Sequence, residues 1–506
     1  MRMNTGIWNE KWKEYRWPFL CAMLCGLLAF LYFFTNKLPN FDDVASTFSK
    51  GAALVSGRWG LEICKYIFPN YSMPWLWGVV SLFIMSISAC LILDLFHFKS
   101  KWICCLLAGL VVVFPSQLSI FMYMFTSTSY ALAFFAAVFS AWILCNGRKI
   151  WKYLFAGTLF VVSIGIYQAN IAITATLFVL IMISDIYRNE KSIREVIAFG
   201  LKCVLFIILA VAVYYGITLL LLHLRGESFC GYAKEAIGNP ESLLERVLSC
   251  FRSFAAVFVP NVQKYGLITS EFSAYMHIIA GICASLPTLI HMIKTKQWTR
   301  LAFLTFLIAI VLPLSITCML LIVTKTSVHT IVMASFMLVY FLLAILLERN
   351  FTGNNRLFCV LEKGVYLCFS LIIASNIVEA NRAALAAQFE YENTKALYTT
   401  VAAQIQNTDG FDTDTRIALI GEAPVSKVMQ GFGLSNIVGV IGSDGALRNA
   451  WSRESFINNY LGYDFSFASE KEVNELKDSN EVKGMKSYPY YGYVQKINNM
   501  IVVKLS

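Results

Sequence analysis

The apolar residues of this chain are gathered into blocks of about 18 to 25, the length a helix needs to cross roughly 30 Å of hydrocarbon. Lipid offers no water to pair with the backbone, so such blocks restrict the fold to membrane-spanning helices that satisfy their own hydrogen bonds. The composition agrees: 58% of residues are hydrophobic and only 14% charged, against about a quarter charged in soluble domains. The blocks end near residue 378. The chain of 506 residues therefore reads as an all-α polytopic membrane protein followed by a small α/β unit.

Eleven spans are expected, at 17–36, 72–96, 102–119, 124–145, 151–167, 169–185, 197–222, 272–293, 299–323, 328–347 and 357–378. The pair at 151–185 has almost no loop between its members, and charge decides it. Arg148, Lys149 and Lys152 precede it and Arg188, Lys191 and Arg194 follow, so both ends favour the cytoplasm and the number of crossings is even. The same bias orients the rest. Lys11, Lys13 and Arg16, then Lys99 and Lys101, then Lys294, Lys296 and Arg300, then Arg349 and Arg356 fall on alternate connections, while the turns near 120, 168 and 326 carry Lys325 alone. The expected topology has the amino terminus in the cytoplasm, and loops 37–71 and 223–271 outside with the carboxy-terminal segment. The first apolar run is too long, and lacks the small-residue cleavage site, for a removable signal peptide.

A net charge of +10 is explained by orientation toward an anionic inner leaflet and implies no nucleic-acid partner. Most of the fourteen cysteines lie within spans as small packing residues. Cys64, Cys230 and Cys250 fall outside, where a Cys230 to Cys250 bridge is allowed. There is no CxxC pair or HExxH helix, so zinc is not indicated.

The domain reading is a transmembrane unit over 1–379, an amphipathic connecting helix over 380–407 and an extracytoplasmic α/β unit over 408–506. In the connecting helix Ala384, Leu385, Phe389, Leu397 and Val401 are expected near one face. Beyond it, TRIALIG and NIVGVIG read as buried strands, Ser469 with Glu472 as a capping box for a helix through Leu476, and YVQKINNMIVVKL as a hairpin turning at Asn498-Asn499.

The most polar passage near the amino terminus is NFDDVASTFSKGAALVSGRW, residues 40–59, just outside the first span. Val44, Phe48, Ala52, Val55 and Trp59 recur at helical spacing, which predicts one short interfacial helix with Asp42 and Asp43 in its first turn. Two acids there suit the helix's positive end, and Arg58 with Trp59 would anchor at the interface. Chemistry offers a second reading. Adjacent carboxylates resist ionising together, so one can be held ready as a general base, and Arg58 presents a planar donor array suited to phosphate. Other polar groups lie at the same depth: Ser116 and Gln117, Thr126 to Ser129, Tyr167, Gln168 and Asn170, His223 and Arg225, Lys325 and His329. Each alone is an ordinary span end, but together they could line a cavity that takes a lipid phosphate near the headgroups.

FDD after the first span, SGRW at 56–59, FPSQ at 114–117, GIYQA at 165–169 and the tail YPYYGYVQKINNMIVVKL together resemble the serotype-converting bacterial glucosyltransferases of the Gtr type II class, grouped with the GT-C glycosyltransferases. The resemblance covers nearly the whole chain. It implies an inner-membrane enzyme that moves glucose or a similar hexose from a polyprenyl phosphate onto a cell-surface polysaccharide. It further implies that Asp42 or Asp43 deprotonates the acceptor hydroxyl and that Arg58, Lys325 and Arg225 meet the donor phosphate. Trp59, Tyr167, Gln168, Gln117, His223 and His329 are then candidates for the sugar and acceptor. No second set of acids is evident, so no cofactor and no metal are expected. Topology fits this donor, since nucleotide sugars are cytoplasmic and a site facing out is most simply fed by a flipped lipid. Two alternatives are a transporter that flips the lipid-linked sugar, disfavoured because alternating access calls for internal repeats and polar groups on both sides whereas the short inner turns here hold mainly orientation lysines and arginines, and a polysaccharide polymerase or ligase.

Overall fold

In the computed structural model the described residues are 5–45, 53–69, 71–147, 149–231, 242–258, 267–268, 270–322, 330–348, 356–423, 431, 447–448, 450 and 452–506. The protein is a helical bundle joined to a four-stranded sheet. The bundle runs α1 (Thr5–Thr35), α2 (Phe41–Ala45), α3 (Trp59–Cys64), α4 (Pro74–Phe96), α5 (Lys101–Val113), α6 (Pro115–Met122), α7 (Met124–Asn146), α8 (Ile150–Ile166) and α9 (Asn170–Arg188). It continues with α10 (Ile193–Arg225), α11 (Leu243–Phe258), α12 (Glu271–Lys294), α13 (Trp298–Ile316), α14 (Thr330–Glu348) and α15 (Arg356–Gln406).

Among the described residues nine helices are long and apolar enough to cross a membrane, α5 and α6 form a bent pair, and α8 is a shorter apolar helix. These fall on the eleven stretches the hydropathy marks. The departures from straightness have local causes. Phe114 is extended (φ −60°, ψ 139°) because a residue before proline avoids the helical region, and α5 and α6 meet at 40° there. In α13, Pro313 removes a backbone donor and the preceding turn, Leu307–Val311, widens to a π-helix.

At one end of the bundle the buried Asp94 of α4 accepts from Lys11 and from the Tyr15 hydroxyl (3.0 Å) of α1, and from the Trp142 indole of α7 (2.8 Å). Three donors on one carboxylate lock three helices together where an unpaired charge would be costly. At the same end Arg188 pairs with Glu348 (3.0 Å) and Lys191 with Asp185 (2.8 Å). Asn40, α2 and α3 lie at the other end.

The last span and the expected connecting helix are one 51-residue helix, α15. Nothing between 357 and 406 breaks it, since Gly364 is the only glycine there and proline is absent. Its buried face also differs from the expected one. Ala384, Leu397 and Val401 are buried, but Leu385 and Phe389 are exposed, and the buried stripe runs through Ala380, Ala383, Ala387, Tyr398, Ala402 and Ile405.

Beyond α15 the sheet has the order β2-β1-β4-β3, with β1 (Arg416–Ile420) parallel to both β2 (Ser466–Phe467) and β4 (Met500–Lys504), and β3 (Val494–Ile497) antiparallel to β4. The hairpin turns at Asn498-Asn499 as expected, with Asn498 left-handed (φ 54°). Ser469 and Glu472 form the reciprocal cap of α16 (Glu470–Lys477). TRIALIG supplies β1, whereas NIVGVIG lies outside the described residues. Arg453 fixes the chain to the sheet, its guanidinium donating to the carbonyls of Gly421 and Leu419 (2.6 Å each). All the cysteines described are free. The Cys230 to Cys250 bridge is therefore not formed, and the Cys250 thiol donates instead to the Thr317 carbonyl (3.5 Å).

Candidate active site

The stretch 40–59 is not one helix. It begins as α2, and after residues 46–52, which lie outside the described residues, it makes a 3-10 turn at Leu54–Ser56 and restarts as α3. Gly57 takes a left-handed conformation (φ 75°) that a helix interior cannot hold, so Val44 and Trp59 share no face. Val44 is buried in the core of the carboxy-terminal unit and Trp59 in an apolar cluster of the bundle with Leu54, Phe160 and Ile164. Phe48 and Ala52 lie outside the described residues.

The two adjacent acids have different surroundings. Asn40 caps α2, its side-chain oxygen accepting from the backbone N–H groups of Asp42 and Asp43 (2.9 Å each). Asp43 returns the bond by accepting from the Asn40 N–H (3.2 Å), which completes a capping box. Asp43 also accepts from the Ser72 hydroxyl and the Phe125 N–H. Burial outweighs these donors and pushes its carboxyl up to about 7. The Asn40 amide in turn donates to the Met122 carbonyl at the end of α6 (2.6 Å), so the cap is bolted to the bundle.

Asp42 is half-buried, and among the described residues its carboxylate makes no hydrogen bond. Burial holds it up at about 6, with the Arg58 charge pulling the other way. Tyr123 stands in the same field, where its own burial and then Asp42 keep its hydroxyl well above the ordinary value. The Arg58 guanidinium donates to the Tyr130 hydroxyl (3.4 Å) and lies 5.7 Å from the Tyr167 ring centroid. The Tyr130 and Tyr167 rings stack at 4.5 Å and 25°. Asp42, Arg58, Tyr123, Tyr130 and Tyr167 thus form one group, a half-buried carboxylate in the field of a cation that is set on aromatic rings.

The loop that carries Arg58 is strapped down. The Gln168 amide donates to the Ser56 carbonyl (3.1 Å) and the Tyr214 hydroxyl (3.0 Å), and that hydroxyl donates to the Gly57 carbonyl (2.9 Å). A methyl group at Gly60 would stand 2.8 Å from the backbone of Gly165, and one at Gly165 would overlap the Trp59 ring. SGRW and GIYQA are therefore two halves of one packed joint.

The remaining candidates scatter. Gln117 is buried on α6; among the described residues its amide donates to the Met337 sulfur (4.0 Å) and its carbonyl oxygen has no partner. Arg225 pairs with Glu62 of α3 (2.6 Å) and is exposed, as is His223. Lys325 and His329 lie outside the described residues. Among the described residues no three of His, Cys, Asp and Glu stand close enough to share a metal ion. Asn40, Ser72, Tyr123, Tyr130 and Tyr214 were not among the expected residues. Only Asn40 had a signal in the sequence, because NFDD places a capping residue three before an acid.

The membrane-length helices among the described residues mark a multi-pass membrane protein. The chain belongs to the glucosyl transferase GtrII family, whose model matches residues 31–342, more than half of its length. Membership makes it a membrane glycosyltransferase, with a sugar donor and an acceptor. The matched region contains α2, Arg58, Tyr130 and Gln168, and stops before α15 and the sheet. No curated protein and no solved structure matches the chain.

Proposed function

We propose that the protein transfers glucose or a similar hexose from a polyprenyl phosphate to a cell-surface polysaccharide on the outer face of the bacterial inner membrane, with Asp42 as general base. The observation that carries this reading is the half-buried Asp42 carboxylate, left without a hydrogen bond among the described residues and held near pH 6 beside Arg58. In the step inferred, an acceptor hydroxyl gives its proton to Asp42 while its oxygen attacks C1 of the donor sugar. The bond from C1 to the phosphate oxygen breaks and the prenyl phosphate leaves with the electron pair. Arg58 would meet the charge that develops there, in the manner of an oxyanion hole. The stacked Tyr130 and Tyr167 give the sugar an apolar wall. Asp43 is a positioning residue, occupied by the cap. Arg225, Lys325, His223 and His329 are proposed only for the approach of the lipid or polymer.

The basic residues alternate along the chain as the positive-inside rule requires if α2 faces outward. The test is transfer of label from a polyprenyl-phosphate glucose to envelope polysaccharide by protein in lipid vesicles. Asp42→Asn is expected to lose about 10²- to 10⁴-fold in kcat, the range for removing a general base, while donor binding persists. An Asp42→Asn protein of undiminished rate would refute the assignment, and lipid translocation without acceptor would favour a flippase.

A further inference from the structure

The family match ends at residue 342, yet the chain beyond it reaches back to the helix that carries Asp42. Val44, two residues from Asp42, is fully buried in the carboxy-terminal core with Leu397, Tyr398, Ile417 and Phe456. The π-helical turn Phe456–Tyr460 packs against α2, where the Asn459 amide donates to the Val44 carbonyl (3.5 Å). The Lys37 ammonium, at the mouth of α1, lies 4.9 Å from the Tyr460 ring centroid. Behind this contact Tyr460 stacks on Phe456 (5.8 Å, 12°), and Phe456 meets Tyr391 and Tyr398 of α15 (6.2 Å each). The turn is tied to the sheet through Arg453, and α15 to α1 by the Asn381 amide on the Leu28 carbonyl (2.9 Å).

A five-residue helix cannot hold its own orientation, since isolated helices need about 12 residues or more even to form. One side of α2 is set by the Asn40 cap on the bundle, and among the described residues Val44 on the other side packs into the carboxy-terminal unit. We propose that this unit is a positioning element for Asp42, with Tyr460, Asn459 and the buried Val44 holding α2 so that the carboxylate stays beside Arg58. The sheet unit thereby belongs to the catalytic machinery although it lies outside the matched family region. The inference rests on the reading of Asp42 as base.

The experiment uses the full chain in lipid vesicles, with labelled polyprenyl-phosphate glucose as donor and envelope polysaccharide as acceptor. Tyr460→Leu keeps an apolar side chain but removes the ring that holds Lys37, and Asn459→Ala removes one hydrogen bond. Each is expected to lower kcat, the pair together by about tenfold, with donor KM within about twofold of wild type, because displacing a reacting group acts on the rate more than on binding. Tyr460→Phe keeps the ring over Lys37 and is expected to lose less rate than Tyr460→Leu. Should Tyr460→Leu be poorly folded, Asn459→Ala, which leaves the core intact, carries the reading. Wild-type kcat in Tyr460→Leu and Asn459→Ala, in a preparation where Asp42→Asn is inactive, would overturn the inference and leave the base in place. An active Asp42→Asn would remove the base and the inference together. A rise in donor KM at unchanged kcat, or equal losses in Tyr460→Phe and Tyr460→Leu, would also overturn it.

Discussion

Replacing Asp43 by asparagine separates the two acids by stability rather than by activity. The Asp43 carboxyl is raised by burial from an ordinary 3.8 to about 7. A folded-state pKa above the unfolded one means that the folded protein holds the proton more tightly. The associated stability is fully present below pH 4 and is lost as pH rises through about 7. At about 1.4 kcal/mol per pH unit the complete loss is about 4 kcal/mol, of which about 2.5 kcal/mol falls between pH 5 and pH 8.5. The amide introduced by Asp43→Asn would keep an acceptor for the Asn40 N–H but would not titrate. The changed hydrogen bonding adds an offset that is the same at every pH. Wild type and Asp43→Asn, purified in one detergent and unfolded by heat at steps from pH 5 to pH 8.5, should therefore differ by an amount that moves steadily in favour of the variant as pH rises. Asp43→Asn should also retain much more transfer activity than Asp42→Asn, because it perturbs a cap worth about 1 kcal/mol. A stability difference that stays flat with pH, or moves toward the wild type, would refute the account of Asp43 as a buried carboxyl.

Two further outcomes follow from the same group. A base works only when ionised, so transfer should fall as pH drops through about 6, and Arg58→Gln, which removes the cation opposing the burial of Asp42, should move that limb upward; Arg58→Lys should restore the limb but not full donor binding. An unmoved limb in a pH–rate profile would count against the pairing. At the joint, Gly60→Ala meets backbone at 2.8 Å and Gly165→Ala meets a ring that can shift, so both should lower the melting temperature, at a cost of about 1–3 kcal/mol, with Gly60→Ala the worse.

The membrane helices were legible because hydropathy over about 20 residues is a property of the segment itself. Capping boxes and the Asn498-Asn499 turn were legible for the same reason, being local. Stretch 40–59 misled because its spacing of apolar residues is helical whether or not Gly57 interrupts it, and because Val44 and Trp59 are apolar for two different cores. Leu385 and Phe389 misled likewise, since an apolar residue on a helix near lipid need not face protein. The division of labour between Asp42 and Asp43 could not be read at all, for it depends on Asn40, Ser72 and Phe125 converging on one carboxylate. Tyr130 and Tyr167, 37 positions apart, meet only through the packing of α7 against α8.

The uninterrupted α15 has a mechanical consequence. A helix of 51 residues is about 75 Å long at 1.5 Å per residue, and this one passes from the bundle into the sheet unit without a joint about which either could swing. The two ends of this strut can only travel together, so any movement of the sheet unit is carried into the last span of the bundle.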